Sequence, residues 1–460
     1  MQFSTFGGVS LNNEALSEAA DLAAQTVVRE SLRLSSESSK LYVVYDRNSH
    51  ASNVLADAYI RAGRSQTLAL DTRVADFSAW QSALGPGTGD ALQRDIFSFV
   101  RPGDGVVLVQ SDAFRLDSYR FRLRLFERGI RTAEHMHLNL NAPDQTLAYL
   151  RACAVPPSQM ASEASRMKRA LDSARRVVVS TTSGTVDAAS AGSDKASAPS
   201  SGSGIVSELV FTAPEVGVEA RETGYSEIGC KVPPPALESS FMNTGYYPVN
   251  VTSSASVPDD WVSYLSLKAQ LNDSSLKKTQ CDSVSSHQNN TVQPTTPMTS
   301  TTKHVGGGYP VGEVFSEARD LDHVSGVVWV KGYPSRARKV ELVAHPFAMR
   351  IELGRVVSVS NRAPAEFLAV VEEIYRDEGE IRVRELGIGL NHEMAMENGA
   401  FVSSLLAFER MRGVHVSLGR KHTVYSKPGV SRKQALARYH IDVFLNAIAV
   451  SADDKTVAEF

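Results

Sequence analysis

The stretch KLYVVYDRNSHASNVLADAYIRAG, Lys40–Gly63, decides the fold. Its first part, Lys40 to Asp46, is a compact run of β-branched, aromatic and aliphatic residues, the composition of a buried strand. From Ser49 to Gly63 the pattern turns helical and ends on a glycine suited to the position just past a helix C-terminus. The same unit recurs downstream. GVVLVQSD (Gly105 to Asp112) reads as a short buried strand, and SYRFRLRLFERG (Ser118 to Gly129) as the helix after it. Upstream, Leu16, Ala19, Ala20, Ala23, Val27, Val28 and Leu32 recur at helical spacing between Glu14 and Arg33 and give an amphipathic opening helix. Strands alternating with helices at this spacing predict a parallel sheet with crossover helices. Residues 1–156 are therefore expected to form an N-terminal α/β domain.

That domain carries no GxGxxG after its first strand and no GxxxxGK[ST], so the usual nucleotide signals are missing. Asp46 and Asp112, each closing a strand, either face a crevice at the strand ends or cap the next helix, and no site is assigned to them. A long helix, Pro157 to Ala174, and a strand, Arg175 to Thr182, come next. From 185 to 304 Ser, Thr, Asn, Gly and Pro dominate. Such a stretch cannot bury enough apolar surface to offset its ordering entropy, so it is expected to be a low-complexity, mostly disordered insertion whose apolar islands, GIVSELVFTAPEVGVEA and DDWVSYLSL, dock locally. Strand-rich sequence resumes at Gly306, broken by a helix from Ala363 to Glu378. Residues 157–184 plus 305–460 are thus expected to form an α+β C-terminal domain, in an α/β protein overall.

The 460 residues carry a formal charge of -3, 42% hydrophobic and 22% charged residues, an ordinary balance for a globular protein. This argues against a nucleic-acid surface, and no apolar run is long enough to span a bilayer. The N-terminal sequence lacks the pattern of a secretory signal, so a cytoplasmic protein is expected. Cys153, Cys230 and Cys281 are widely spaced, which suits a reducing compartment and argues against a thiolate metal site. The two Asn-X-Thr matches, at Asn250 and Asn289, read as chance.

The chemistry concentrates near the C-terminus. In a strand, residues i and i+2 share a face, so His440 and Asp442 project together from YHIDVF while Ile441 and Val443 pack on the other side. His415 sits in a similar apolar run. Glu313 follows the glycine-rich turn Gly306–Gly312 and opens a strand. In EIRVRELGIGLN, Glu385 shares a face with Ile381 and Val383, which puts a carboxylate on the apolar side and leaves Arg382 and Arg384 outside. His392, His422 and Tyr425 lie near in sequence. Carboxylates mixed with imidazoles suit a divalent ion such as Zn, Mn, Co or Fe, and three carboxylates exceed what one zinc needs. They fit two ions bridged by a carboxylate.

GGYPVGEVF, ELGIGLN, HVSLG and HID, in that order after ALDSARRVVVSTTSGTVD, resemble the thermophilic metallo-aminopeptidase family, that of aminopeptidases T and S, which is leucyl-aminopeptidase-like. The resemblance covers the chain outside the insertion. It implies a two-domain, often dimeric, metal-dependent hydrolase that releases N-terminal residues from peptides, with its metal ligands at Glu313, Glu385, His415, His440 and Asp442. It also implies catalytic roles for Glu313 and for a tyrosine seven residues after the first histidine. Here that position is His422, and Tyr425 is the nearest tyrosine, so an imidazole stands where the family has a phenol. The blocks are also similar to 2,5-dihydroxypyridine dioxygenase, a single-iron ring-opening enzyme, and to peptidase-like proteins of natural-product pathways that bind rather than cleave. A peptide or small-molecule substrate is the expected partner in each case.

Overall fold

The computed structural model describes residues 13–35, 39–84, 88–112, 121–140, 143–184, 205–213, 235–237, 240–243, 305–318, 320–336, 339–394, 404–419 and 439–460. The N-terminal part begins with α1 (Asn13–Thr26), which runs into a π-helical turn, Val27–Ser31. It continues through β1 (Lys40–Tyr45), α2 (His50–Arg64), β2 (Asp71–Asp76), α3 (Phe77–Leu84) and α4 (Thr88–Phe99). Then come β3 (Gly105–Val109), α5 (Phe121–Glu127), β4 (Arg131–His135) and α6 (Pro143–Ala154). The strands form a parallel sheet in the order β2-β1-β3-β4, extended at one edge by β8 (Gly306–Tyr309). Alternation along the central strands covers both faces. Leu41, Val43, Val107 and Val109 pack with Leu55, Tyr59 and Ala20 from the α1–α2 side. Tyr42, Val44, Val106 and Leu108 pack with Leu92, Ile96 and Leu125 from α4 and α5. Such two-sided burial explains why β1 and β3 read as continuous apolar runs.

Two local expectations are corrected here, and the strand-end aspartates find partners. Helix α2 runs one residue past Gly63, with Ser49 as its N-cap accepting from the Ser52 N–H. Gly63 serves a close approach instead, since a Cβ there would come 2.6 Å from Thr72 Oγ1. The run Gly306–Tyr309 is an edge strand rather than part of a turn, and a Cβ on Gly306 would meet the Thr132 carbonyl oxygen. At the strand ends, Asp46 accepts from the backbone N–H of Ser111 (2.7 Å) and of Asn48 (3.0 Å), which ties β1 to β3, and Asp112 pairs with His137 at 3.0 Å.

Helix α7 (Pro157–Ser173) leads into a large curled antiparallel sheet. Its further strands are β5 (Arg176–Thr182), β6 (Val206–Thr212), β7 (Phe241–Asn243), β9 (Glu313–Glu317), β10 (Val324–Pro334), β11 (Val340–Glu352) and β12 (Arg355–Val359). After α8 (Ala365–Glu378) come β13 (Val383–Gly389), the short α9 (Leu405–Phe408), β14 (Gly413–Leu418), β15 (Ile441–Leu445), β16 (Ala447–Ala452) and β17 (Lys455–Glu459). The order is β17-β16-β5-β6-β10-β15-β14-β13-β9-β7, with β11 and β12 branching from β10. Two of these strands come from the stretch that composition marks off as an insertion. β6 pairs with β5 from Arg176↔Thr212 to Thr182↔Val206 and with β10 on its other side, and it buries Leu209 and Phe211 completely. The island GIVSELVF is thus an internal strand. Among the described residues no helix is long and apolar enough to cross a membrane.

Candidate metal centre

Strands β9, β13, β14 and β15 lie side by side, and residues paired across them share a face. One row reads Glu317, Glu385, Ser417, Asp442, and the next reads Phe315, Gly387, His415, Phe444. Glu313 and Gly389 begin a third. Four strands therefore bring their carboxylates and imidazole to one sheet face. Gly387 makes room for this, because a Cβ there would lie 2.1 Å from the His415 ring.

Glu313, Glu385, His415 and Asp442 are all buried. His415 Nε2 lies 3.4 Å from Glu313 Oε1 and 4.0 Å from Glu385 Oε1. His440 Nε2 lies 3.1 Å from Asp442 Oδ1 and 3.7 Å from Glu385 Oε1. Its side chain is 45% exposed, which places it at the open rim. The five residues singled out in the sequence thus lie in one cluster. His392 is exposed and sits against Arg412 at 3.3 Å, outside it. His422 and Tyr425 lie outside the described residues.

Further groups complete the site. The Ser417 hydroxyl donates to Asp442 and contacts His440 Nε2 at 3.1 Å. Arg410 Nη1 joins Glu313 Oε2 at 2.6 Å and Glu409 Oε2 at 2.7 Å. Arg384, expected on the outer face, is buried, with Nη2 2.6 Å from His440 Nδ1 and Nε 3.8 Å from Glu317. The reason is a β-bulge. Val383 pairs with Leu418 and Glu385 with Ser417, so Arg384 is an extra residue and the alternation breaks there. Glu317 was legible, since Glu313, Phe315 and Glu317 alternate on one strand face. Ser417 was too, two residues from His415. Glu409 and Arg410 follow a one-turn helix with no periodicity to betray them.

The electrostatics record a crowd of acids. Burial pushes the Glu313 carboxyl up to about 8, against the pull of Arg410. Burial and the Asp442 charge raise Glu409 well above the carboxylate range, and a hydrogen bond links the two. Burial holds His415 below the ordinary imidazole value. Desolvation opposes protonation of His440, yet Asp442 and Glu385 outweigh it and raise the ring well above its usual value. Asp442 is correspondingly lowered, since His440 outweighs its desolvation.

Glu313, Glu317, Glu385, Glu409 and Asp442 bring five carboxyl groups to this face, against the guanidiniums of Arg384 and Arg410. An uncompensated buried carboxylate costs several kcal/mol, and a divalent cation removes that cost. One donor atom from each of Glu385, His415 and Asp442 lies within 4.8 Å of the others. Small side-chain rotations bring such a set within reach of one ion with bonds of about 2.1 Å. Oxygen and imidazole donors without a thiolate suit a hard or borderline divalent ion.

No known protein family profile and no characterised protein matches the chain by sequence. Among solved structures there are likenesses of fold. The fold is similar to 2,5-dihydroxypyridine dioxygenase from Pseudomonas putida, at 13% identity and a TM-score of 0.50, over 98% of this chain and 96% of that one. A similarity to AmpT from Thermus thermophilus has 12% identity and a TM-score of 0.45, over 95% of this chain and 94% of that one. The first of these likenesses describes a distant relationship of fold.

Proposed function

We propose that this chain is a metal-dependent hydrolase of the aminopeptidase-like kind, releasing N-terminal residues from peptides. The observation that carries the reading is the buried Glu313 carboxyl, 3.4 Å from His415 Nε2, beside the Glu385, His415 and Asp442 donors. Glu385, His415 and Asp442 would hold the ion, with Glu313 and His440 at its flank. Bound there, a divalent ion such as Zn, Co, Mn or Fe supplies an acidified water and a Lewis acid for the scissile carbonyl. Glu313 Oε1 takes the proton from the attacking water and returns it to the departing amine. Arg410, on Glu313 Oε2, keeps that carboxyl oriented and limits how far burial raises its pKa.

The test is metal stoichiometry together with hydrolysis of a panel of amino-acid amides. Wild type should take up the ion and cleave, and Glu313→Gln should keep an ion at Glu385, His415 and Asp442 while losing cleavage. Metal-loaded wild type that cleaves none of the panel overturns the reading. A second reading, single-iron ring-opening oxygenation, is favoured by the proximity of two imidazoles and a carboxylate, His415, His440 and Asp442. Oxygen uptake by iron-loaded protein with 2,5-dihydroxypyridine separates it from hydrolysis.

A further inference from the structure

Asn391, the last residue of ELGIGLN, is fully buried just past the end of β13. Its amide uses both donor hydrogens on backbone carbonyls. Nδ2 donates to Val311 at 2.9 Å and to Ala152 at 3.0 Å, while Oδ1 accepts from the Glu393 N–H at 3.0 Å. Ala152 lies in the last turn of α6, where carbonyls lack a partner within the helix. The main chain of Asn391 pairs with a different segment. Its N–H donates to the Arg410 carbonyl at 2.9 Å, and its carbonyl accepts from the Arg412 N–H at 3.0 Å.

Three segments therefore meet at one residue. Val311 leads into Glu313, Arg410 carries the guanidinium that joins Glu313 Oε2 at 2.6 Å, and α6 belongs to the N-terminal part. The approach to Glu313 is tied down by neighbours of the same residues. The Leu390 N–H donates to the Gly312 carbonyl at 2.9 Å, and the Tyr149 hydroxyl of α6 donates to the Tyr309 carbonyl at 3.2 Å. Gly312 passes so close that a Cβ there would lie 3.1 Å from the Asn391 Cβ. Glu313 is the first residue of β9, and Arg410 follows a one-turn helix outside the strands. Neither lies in the middle of a strand ladder, so their relative placement depends on what ties the two backbones together.

We propose that Asn391 is a positioning residue for the reaction, fixing the backbones of Glu313 and Arg410 to one point anchored on α6. Arg410 thereby meets Glu313 Oε2, and Oε1 is left 3.4 Å from His415 Nε2, on the side of the ion donors. The inference rests on the hydrolase reading for the step it serves, proton transfer by Glu313. Asn391 itself touches neither the ion donors nor the scissile bond, and it acts through the two residues it places.

The variants are Asn391→Ser, which keeps one hydroxyl donor, and Asn391→Ala, which keeps none. On the amino-acid amides, Asn391→Ala should lower kcat by about 10–100-fold with KM and ion content little changed, the scale of a small misplacement at a reacting group. Asn391→Ser should recover part of the loss. In a Glu313→Gln background, Asn391→Ala should lower the residual kcat no further, because residues that act as a unit are not additive. Equal losses in both backgrounds, or loss of the ion, overturn the inference. Hydrogen exchange of chelator-treated protein gives a readout without catalysis. Asn391→Ala should speed exchange by about tenfold in 309–317 and 409–412 while leaving β3 unchanged, whereas a global effect speeds all three. Wild type alone decides the matter where the variants do not fold: in native-state exchange, the amides of Gly312, Asn391 and Arg412 should open together, with one denaturant dependence. Separate openings, or unchanged exchange in Asn391→Ala, overturn the tie and leave the hydrolase reading standing. Metal-loaded wild type that cleaves none of the panel overturns that reading and the positioning role with it, even where the exchange results hold.

Discussion

Nη2 of Arg384 lies 2.6 Å from Nδ1 of His440, so a bulge in β13 reaches across to the rim of the centre. A guanidinium has donors only, so this contact uses the Nδ1 lone pair and leaves the proton of a neutral ring on Nε2, toward Asp442. It thereby opposes the pull of Asp442 and Glu385 toward a fully protonated ring. A ligand role for Nε2 needs the other tautomer, with Nδ1–H donating to an acceptor.

Arg384→Gln supplies such an acceptor in its amide oxygen. The variant should bind a divalent ion more tightly than wild type, because His440 becomes free to present Nε2. It should also lose metal-free stability, since the buried Glu317 carboxylate gives up a guanidinium 3.8 Å away. Chelator competition and thermal melts measure both. Weaker ion binding in the variant rules out this account of His440.

Which parts were legible depends on what each residue's neighbours hide or reveal. β1 and β3 are buried on both faces and announce themselves as apolar runs. β2, DTRVAD, is an edge strand with most of its side chains at least partly in solvent, so it carries no hydrophobic pattern to read. In the centre, Glu385, His415 and Asp442 stood out because a charged or polar group on an apolar strand face breaks the pattern. Arg384 was misplaced for a complementary reason. A bulge is fixed by pairing between two strands, and the alternation within one strand says nothing of it. β6 was hidden by its surroundings, a seven-residue strand inside a long polar stretch, and only its partners β5 and β10 make it internal.

That placement of β6 gives the insertion a structural role. Replacing 190–300 by a Gly/Ser linker should abolish the cooperative thermal transition, because it opens the sheet between β5 and β10. Phe211→Ala alone should cost about 3–5 kcal/mol. Replacing only 245–303 should be tolerated. The Asn243 carbonyl accepts from the Gly312 N–H at 2.6 Å and its side chain donates to Gly308 at 3.1 Å, so a short linker closes the gap. A cooperative melt at wild-type temperature for the 190–300 replacement defeats the claim.

Glu313 should write itself into the pH dependence of stability. Its folded value of about 8 lies above an unfolded value of about 4.3, so the folded chain keeps a proton that the unfolded chain gives up. The contribution is full below about pH 4.3 and is lost as pH rises toward 8, with a slope of at most about 1.4 kcal/mol per pH unit. Glu313→Gln resembles the protonated acid, so in chelator the variant should lose less stability than wild type between about pH 5 and 8. A divalent ion, which takes the place of the proton, should cancel much of the wild-type decline. Parallel melting curves for the two proteins across that window would mean that Glu313 holds no such proton.

Gly387 offers the sharpest separation of site from fold. A Cβ at this position would sit 2.1 Å from two atoms of the His415 ring, and no rotation of a methyl group relieves that contact. The ring is buried and packs at 5.8 Å, centroid to centroid, on Phe444. It therefore has to tilt away from Gly387, carrying Nε2 off the position it shares with Glu313 and Glu385. Gly387→Ala should lower divalent-ion affinity by about 10–100-fold, the range seen when the orientation of a ligating imidazole is disturbed. Overpacking should also cost about 1–3 kcal/mol of metal-free stability. The paired control is Ile388→Val on the opposite face of the same strand. It trims a buried side chain at a cost of about 0.5–1.5 kcal/mol and should leave ion affinity unchanged. Ion binding measured by equilibrium dialysis on both variants decides the matter. If Gly387→Ala binds the ion as tightly as wild type while Ile388→Val does too, His415 is not a ligand and the centre must be sought around His440.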